Sequence, residues 1–129
     1  MTKPVKAYEL SFDERPGYLY AHLKGETISA DVIRNYVREI VAKSTETGQP
    51  RIMLYRDIPA VLSEAEVFHT VRESLDALRG KKLALVNPHA AIQKALEFGM
   101  VVGHNRGGNY ASFEDVETAE RWLLADRDG

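Results

Sequence analysis

The sequence predicts an α/β domain of order β-β-α-β-α-β-α-β-α, with a mostly parallel mixed sheet, an N-terminal antiparallel hairpin and four main helices. Three observations predict it. Apolar and polar residues alternate at period two on both sides of Glu14-Arg15-Pro16-Gly17. Short apolar runs bounded by turn residues, the form of buried strands, follow at Arg51 to Tyr55 and Lys82 to Val86. Between them lie stretches whose apolar residues recur at helical spacing.

The hairpin comes first. Tyr8, Leu10 and Phe12 alternate through Ala7 to Asp13, and Tyr18 to Lys24 alternates again after the turn. In the second strand Leu19, Ala21 and Leu23 share a core-like face, and Tyr18, Tyr20, His22 and Lys24 share the other, because successive strand side chains point to opposite sides. A helix over Ala30 to Lys43 follows, with Val32, Ile33, Tyr36, Val37, Ile40 and Val41 as its stripe and Ser29 as N-cap.

After Gly48-Gln49-Pro50 the third strand candidate runs from Arg51 to Tyr55, and Arg56 to Leu62 reads as a linker. Ser63-Glu64-Ala65-Glu66 is a capping-box pattern, with Val67, Phe68, Val71, Leu75 and Leu78 as the stripe behind it and Gly80 as the stop. Lys82 to Val86 leads into Asn87-Pro88, a capping residue before a proline suited to a first helical turn. Ile92, Ala95, Leu96 and Met100 carry the third helix. Asn109 to Phe113 is the last strand, and Ser112 with Asp115 suggests a capping box for a helix that buries Val116, Ala119, Trp122 and Leu123.

The chain of 129 residues fits one domain, with its core over about residues 5 to 125, since domains cluster near roughly 100 to 150 residues. There are no cysteines, so disulfides, thiolate metal sites and cysteine nucleophiles are excluded. The start, Met1 to Lys6, has no apolar export segment, and no apolar run approaches the roughly 20 residues of a membrane span. A cytoplasmic protein without a transmembrane segment is the expectation. The net charge of −2 arises from 17 basic and 19 acidic residues mixed along the chain, which disfavours nucleic acid as a partner. The densest basic cluster, Arg79-Gly80-Lys81-Lys82, reads as a solvated turn whose cations complement a helix C-terminus.

Over nearly its whole length this order resembles the STAS-like family, the fold of bacterial anti-sigma-factor antagonists that is shared with lipid-binding domains of the SEC14 type. More closely, the chain resembles the stand-alone bacterial SpoIIAA-like proteins. The segments that carry the resemblance are Tyr18-Leu19-Tyr20-Ala21-His22-Leu23-Lys24-Gly25, Arg51 to Tyr55, Lys82 to Val86, and Tyr110-Ala111-Ser112-Phe113 with Ala119-Glu120-Arg121-Trp122-Leu123. The resemblance implies a binding or regulatory module rather than an enzyme, with no cofactor. One departure matters. Partner-switching antagonists present a phosphorylatable serine in an Asp-Ser stretch after the central strand, whereas this chain reads Asp57-Ile58-Pro59-Ala60-Val61-Leu62-Ser63. Ser63 stands roughly where that serine would be, and its context is explained by capping.

Ligands of open α/β sheets gather beyond the strand C-termini, which nominates Tyr55, Arg56, Asp57, Ser63, Asn87 and His89 as a ligand or partner rim. His89, read as a first-turn histidine, and Asp57 are the candidate bases should the rim be enzymatic. Arg106-Gly107-Gly108 is a candidate anion loop, in which backbone N–H groups approach a phosphate and Arg106 pairs with it, although two adjacent glycines after a helix more often mean a C-terminal stop and a turn. His22, His69 and His104 lie on separate elements, so no metal centre is expected. Tyr18, Tyr20 and His22 mark either a homodimer face or a face covered by the chain's own helices. The alternative to a non-catalytic module that binds a protein or small ligand is a carrier of a lipid or other apolar ligand. Its pocket would lie between the third helix and the sheet, at Phe98 to Gly103.

Overall fold

A computed structural model describes residues 7–125. Among them, five strands form one sheet: β1 (Tyr8–Arg15), β2 (Tyr18–Gly25), β3 (Arg51–Asp57), β4 (Lys82–Val86) and β5 (Asn109–Phe113), in the spatial order β1-β2-β3-β4-β5. β1 and β2 pair antiparallel and every other neighbour pairs parallel. The helices are α1 (Ala30–Thr47), α2 (Glu64–Ala77), α3 (Gln93–Asn105) and α4 (Val116–Leu124), with a short 3₁₀ turn, Ala90–Ile92, ahead of α3. The predicted α/β order stands. No helix of the described residues is long and apolar enough to cross a membrane.

Element boundaries moved where a strong tertiary partner extends a weak local signal. The hairpin turn is only Pro16-Gly17, with Gly17 at a φ of 87°, and Glu14 and Arg15 continue β1. A proline with its fixed φ followed by a glycine at positive φ closes two strands without strain. Arg56 and Asp57, read as linker, are strand residues paired with Leu23 and Lys24 of β2. α1 runs on to Thr47, where Gly48 at a φ of 71° closes it and donates its N–H to the Ser44 and Thr45 carbonyls.

Helix starts divide between confirmation and correction. Ser29 Oγ accepts from Val32 N at 3.1 Å, and Ser63 and Glu66 form the reciprocal capping box. The cap of α4 is Asp115, whose Oδ1 accepts from Thr118 N at 2.8 Å; Ser112 stays in β5 and caps nothing. Asn87 does not open α3. It forms a turn of its own, taking the His89 N–H on Oδ1 at 2.9 Å, and the chain winds through the 3₁₀ turn before α3 begins.

The strand order decides where the helices go. Each parallel crossover advances one strand in the same direction, and right-handed crossovers then place α1, α2 and α3 on one face. That face holds the larger core, in which Leu23, Ile40, Ile52, Leu54 and Ile58 are buried among the helix stripes. Arg34 of α1 donates from Nε to Glu73 Oε2 of α2 at 2.8 Å, which joins the outer surfaces of the two helices and holds the Glu73 carboxyl below its ordinary range. Among the described residues the opposite face has α4 alone, packed on β3, β4 and β5 over Met53, Ala84, Val86, Ala119 and Leu123.

One helix cannot cover five strands. A sheet is about 4.8 Å wide per strand and a helix about 10 Å across, so α4 spans roughly two to three strands. Among the described residues, the β1–β2 half of that face therefore carries no helix apart from the edge of α4 over Tyr18.

Candidate functional site

The uncovered half is where the aromatic hairpin residues stand. Register rows across β1, β2 and β3 place Asp13 beside Tyr20, Ser11 beside His22 and Tyr55, and Glu9 beside Lys24 and Asp57. The strand pleat turns all of these side chains to the same side. Within the rows the His22 and Tyr55 rings stack with centroids 5.2 Å apart and planes 10° apart, and the Arg15 guanidinium lies 3.8 Å from the Tyr20 ring centroid. Both contacts flatten a polar aromatic surface and leave its rings part-exposed.

The three hairpin aromatics divide between the two readings made of them. Tyr18 is buried by the chain itself, under α4, with its hydroxyl donating to Glu120 Oε2 at 2.7 Å. Burial and that acceptor push its phenol upward, against the neighbouring Arg15. Tyr20 packs against the edge of the smaller core, His22 lies on the Tyr55 ring, and both keep part of their surface.

The six rim residues are not one site. Asp57 and His89 do meet, Oδ1 to Nε2 at 2.7 Å, with side chains about one-third exposed. Asn87 is buried beneath them and donates from Nδ2 to the His89 carbonyl at 2.8 Å and to Gln93 Oε1 at 2.9 Å. Tyr55 belongs to the His22 stack on the same side. Arg56 points the other way, into the larger core at 3% exposure, and donates to the carbonyls of Ile58 at 2.9 Å and Ala60 at 2.8 Å. Ser63 is engaged in the capping box. His89 is not a first-turn helix residue either, since three 3₁₀ residues separate it from α3.

The physical reason for the scatter is the strand order. A crevice opens in an α/β sheet where successive crossovers leave in opposite directions, and here they all leave in one. The rim lacks the switch point that would gather its side chains.

The anion-loop reading of Arg106-Gly107-Gly108 is overturned in its backbone part. All three N–H groups turn back on α3: Arg106 and Gly108 donate to the Gly103 carbonyl and Gly107 to that of His104. None points outward to a ligand. Gly107 supplies the turn, at a φ of 97°, and Gly108 serves packing, because a Cβ there would lie 2.8 Å from the Tyr110 ring and 2.9 Å from Leu75 Cδ2.

Beneath α1, α2 and α3 lies an apolar cavity of about 120 Å³. Leu54, Leu85, Val67, Leu96, Gly99 and Met100 are among its walls. Of the pocket residues expected in α3, Gly99 and Met100 reach it; Phe98 instead packs edge-on against Phe68 with centroids 5.6 Å apart, Val101 is exposed, and Val102 and Gly103 are buried elsewhere. Phe68, expected inside the α2 stripe, is an exposed residue. Thr70 takes the inward position, and its Oγ1 is the one buried side-chain polar atom among the described residues without a hydrogen-bond partner. Periodicity could not find Thr70, because a threonine does not count as apolar. Among the described residues no group of three or more His, Asp or Glu is placed to hold a metal ion.

Compared with protein-family models and with curated proteins, the chain matches none.

Proposed function

We propose that this chain is a non-catalytic, STAS-like association module that pairs with a second copy of itself through the uncovered half of the sheet. The observation that carries the reading is the bare β1–β2 surface with its two stacked pairs, Arg15 on Tyr20 and His22 on Tyr55. Tyrosine and arginine are the residue types enriched where protein surfaces meet. The face also bears both signs of charge, Glu9, Asp13 and Asp57 against Arg15 and Lys24. A two-fold interface brings residue i to j and j to i, so a patch of mixed sign complements itself.

The STAS-like label rests on the element order and the resembling segments. The partner switch of that family is not part of the proposal, since Ser63 is held by Glu66 in a cap. The rim-enzyme alternative draws only on the Asp57–His89 pair, which the Asn87 network accounts for structurally.

Analytical ultracentrifugation tests the reading. Wild-type protein at about 10 μM, a concentration at which a micromolar dimer is mostly formed, sediments as a dimer. Tyr20→Asp with Tyr55→Asp sediments as a folded monomer. A monomeric wild type at this concentration, or a dimer indifferent to both substitutions, refutes it.

One observation favours a second reading, a small apolar ligand in the cavity under α2 and α3. An unpartnered hydroxyl costs about 1–3 kcal/mol unless something meets it, and Thr70, whose Oγ1 is unpartnered, is among the residues around that cavity. At about 120 Å³ the space is well below the roughly 300 Å³ where drug-sized pockets begin, so it suits a guest of few heavy atoms and not a lipid. Benzyl alcohol raises the melting temperature of wild type and not of Thr70→Val on this reading; equal shifts exclude it.

A further inference from the structure

At the opposite end of the sheet from the rim, where β3, β4 and β5 begin, lies a cleft of about 670 Å³. Two segments remote in sequence meet there: Arg79 to Lys82, which reads locally as a solvated turn, and Arg106 to Gly108. Arg51 and Arg72 join them, so six cations line the cleft against one carboxylate, Asp76, in a chain of net charge −2.

The bland account is that these cations neutralise the C-terminal ends of α2 and α3. Each helix end contributes about half a negative charge, and Asp76 is taken by Arg79 at 2.9 Å, so this account absorbs about two of the six. Lys82 and Arg51 are further engaged as anchors of α4, donating to the Trp122 carbonyl at 2.7 Å and to the Leu123 carbonyl. Arg72, Lys81 and Arg106 pair with no carboxylate among the described residues. The Arg106 guanidinium lies 5.9 Å from the Phe68 ring, at the outer limit of useful attraction. Three uncompensated cations around one concavity repel each other and raise its potential.

We propose that this cleft binds a small phosphorylated molecule carrying at least two negative charges, with Arg72, Lys81 and Arg106 as its recognition groups. The backbone N–H groups of the Arg106 loop are spent on α3, so recognition falls to side chains, and guanidinium forks match phosphate oxygens two at a time. The volume suits a single small molecule. Pro50, Leu75 and Leu78 supply apolar wall for the part of the ligand that bears the phosphates. A nucleic-acid backbone is the poorer fit, because the cations gather at one cleft between two helix ends and do not form a stripe along the surface.

Isothermal titration with inorganic pyrophosphate at low salt tests the site on the full chain. Wild type binds; Arg72→Ala with Arg106→Ala, shown by thermal melting to be folded, binds at least about tenfold more weakly, the loss of one charge-assisted pair. Lys94→Ala removes the same kind of charge from an exposed position outside the cleft and leaves binding unchanged. No binding by wild type, an equal loss in Lys94→Ala, or tighter binding of a single-stranded oligonucleotide through the same arginines overturns the proposal.

Discussion

His89 Nε2 lies 2.7 Å from Asp57 Oδ1, which ties the end of β3 to the connection that leaves β4. The backbone beneath this bond is held separately, by Asn87. Its side chain makes three hydrogen bonds of 2.8 to 2.9 Å while almost fully buried. The two residues should therefore differ in weight. Asn87→Ala strands buried partners and is expected to cost about 2–4 kcal/mol. His89→Ala breaks a pair that water already reaches and is expected to cost less than about 1 kcal/mol. Urea unfolding of both variants measures the contrast, and equal losses would show that the Asp57–His89 bond holds the connection as firmly as the Asn87 turn does.

Gly103 and Tyr110 make a second prediction, with a reversed sign. Alanine in place of a helical glycine ordinarily stabilises by about 1 kcal/mol. A Cβ on Gly103, however, would stand 2.4 Å and 2.8 Å from two atoms of the buried Tyr110 ring. Gly103→Ala is expected to destabilise by about 1–3 kcal/mol through overpacking. Adding Tyr110→Ala removes the clash, so the double variant loses less than the two single losses combined. Thermal melts of the three proteins complete the cycle, and additive losses would mean that the ring is free to move aside.

These pairs also show what the sequence made legible. Strands and helices emerged from periodicity because burial alternates with the same period as the backbone, and Ser29 and Ser63 emerged because capping needs only residues three apart. Arg51 and Leu123, or Arg79 and Arg106, are neighbours only through strand order, which no local pattern encodes, and Gly103 meets Tyr110 only through the turn that folds β5 back along α3. Arg56 failed for a related reason. A charge between strand and helix reads as solvent-facing, and the carbonyls that draw it inward belong to Ile58 and Ala60, whose path is set by the turn after β3.

Arg56 is accordingly expected to be the most sensitive charged position in the larger core. Arg56→Ala leaves two carbonyls without donors and a space among apolar side chains, at a cost of about 3–5 kcal/mol. Arg56→Lys restores the charge but not the fork that spans both carbonyls, so it recovers only part of that loss. Urea denaturation ranks wild type, lysine and alanine in that order; a lysine variant as stable as wild type would show that charge alone matters.

The tyrosines set the response to alkali. Burial pushes the phenols of Tyr8, Tyr18, Tyr20, Tyr36 and Tyr110 upward, that of Tyr110 to about 12. In Tyr8 a hydrogen bond to the Glu39 carboxylate adds to the rise. A phenol raised in the fold titrates more readily in the unfolded chain, at its ordinary value of 10.0. The stabilisation is therefore whole below pH 10 and is lost as pH rises toward 12. Phenolate absorbance should lag behind that of the urea-unfolded chain across this window, with stability falling alongside. Tyr110→Phe keeps the ring and removes one ionisation, so its stability should decline less steeply. A phenolate midpoint near pH 10 in the folded protein, as in the unfolded chain, would show that these rings are not shielded by the packing described.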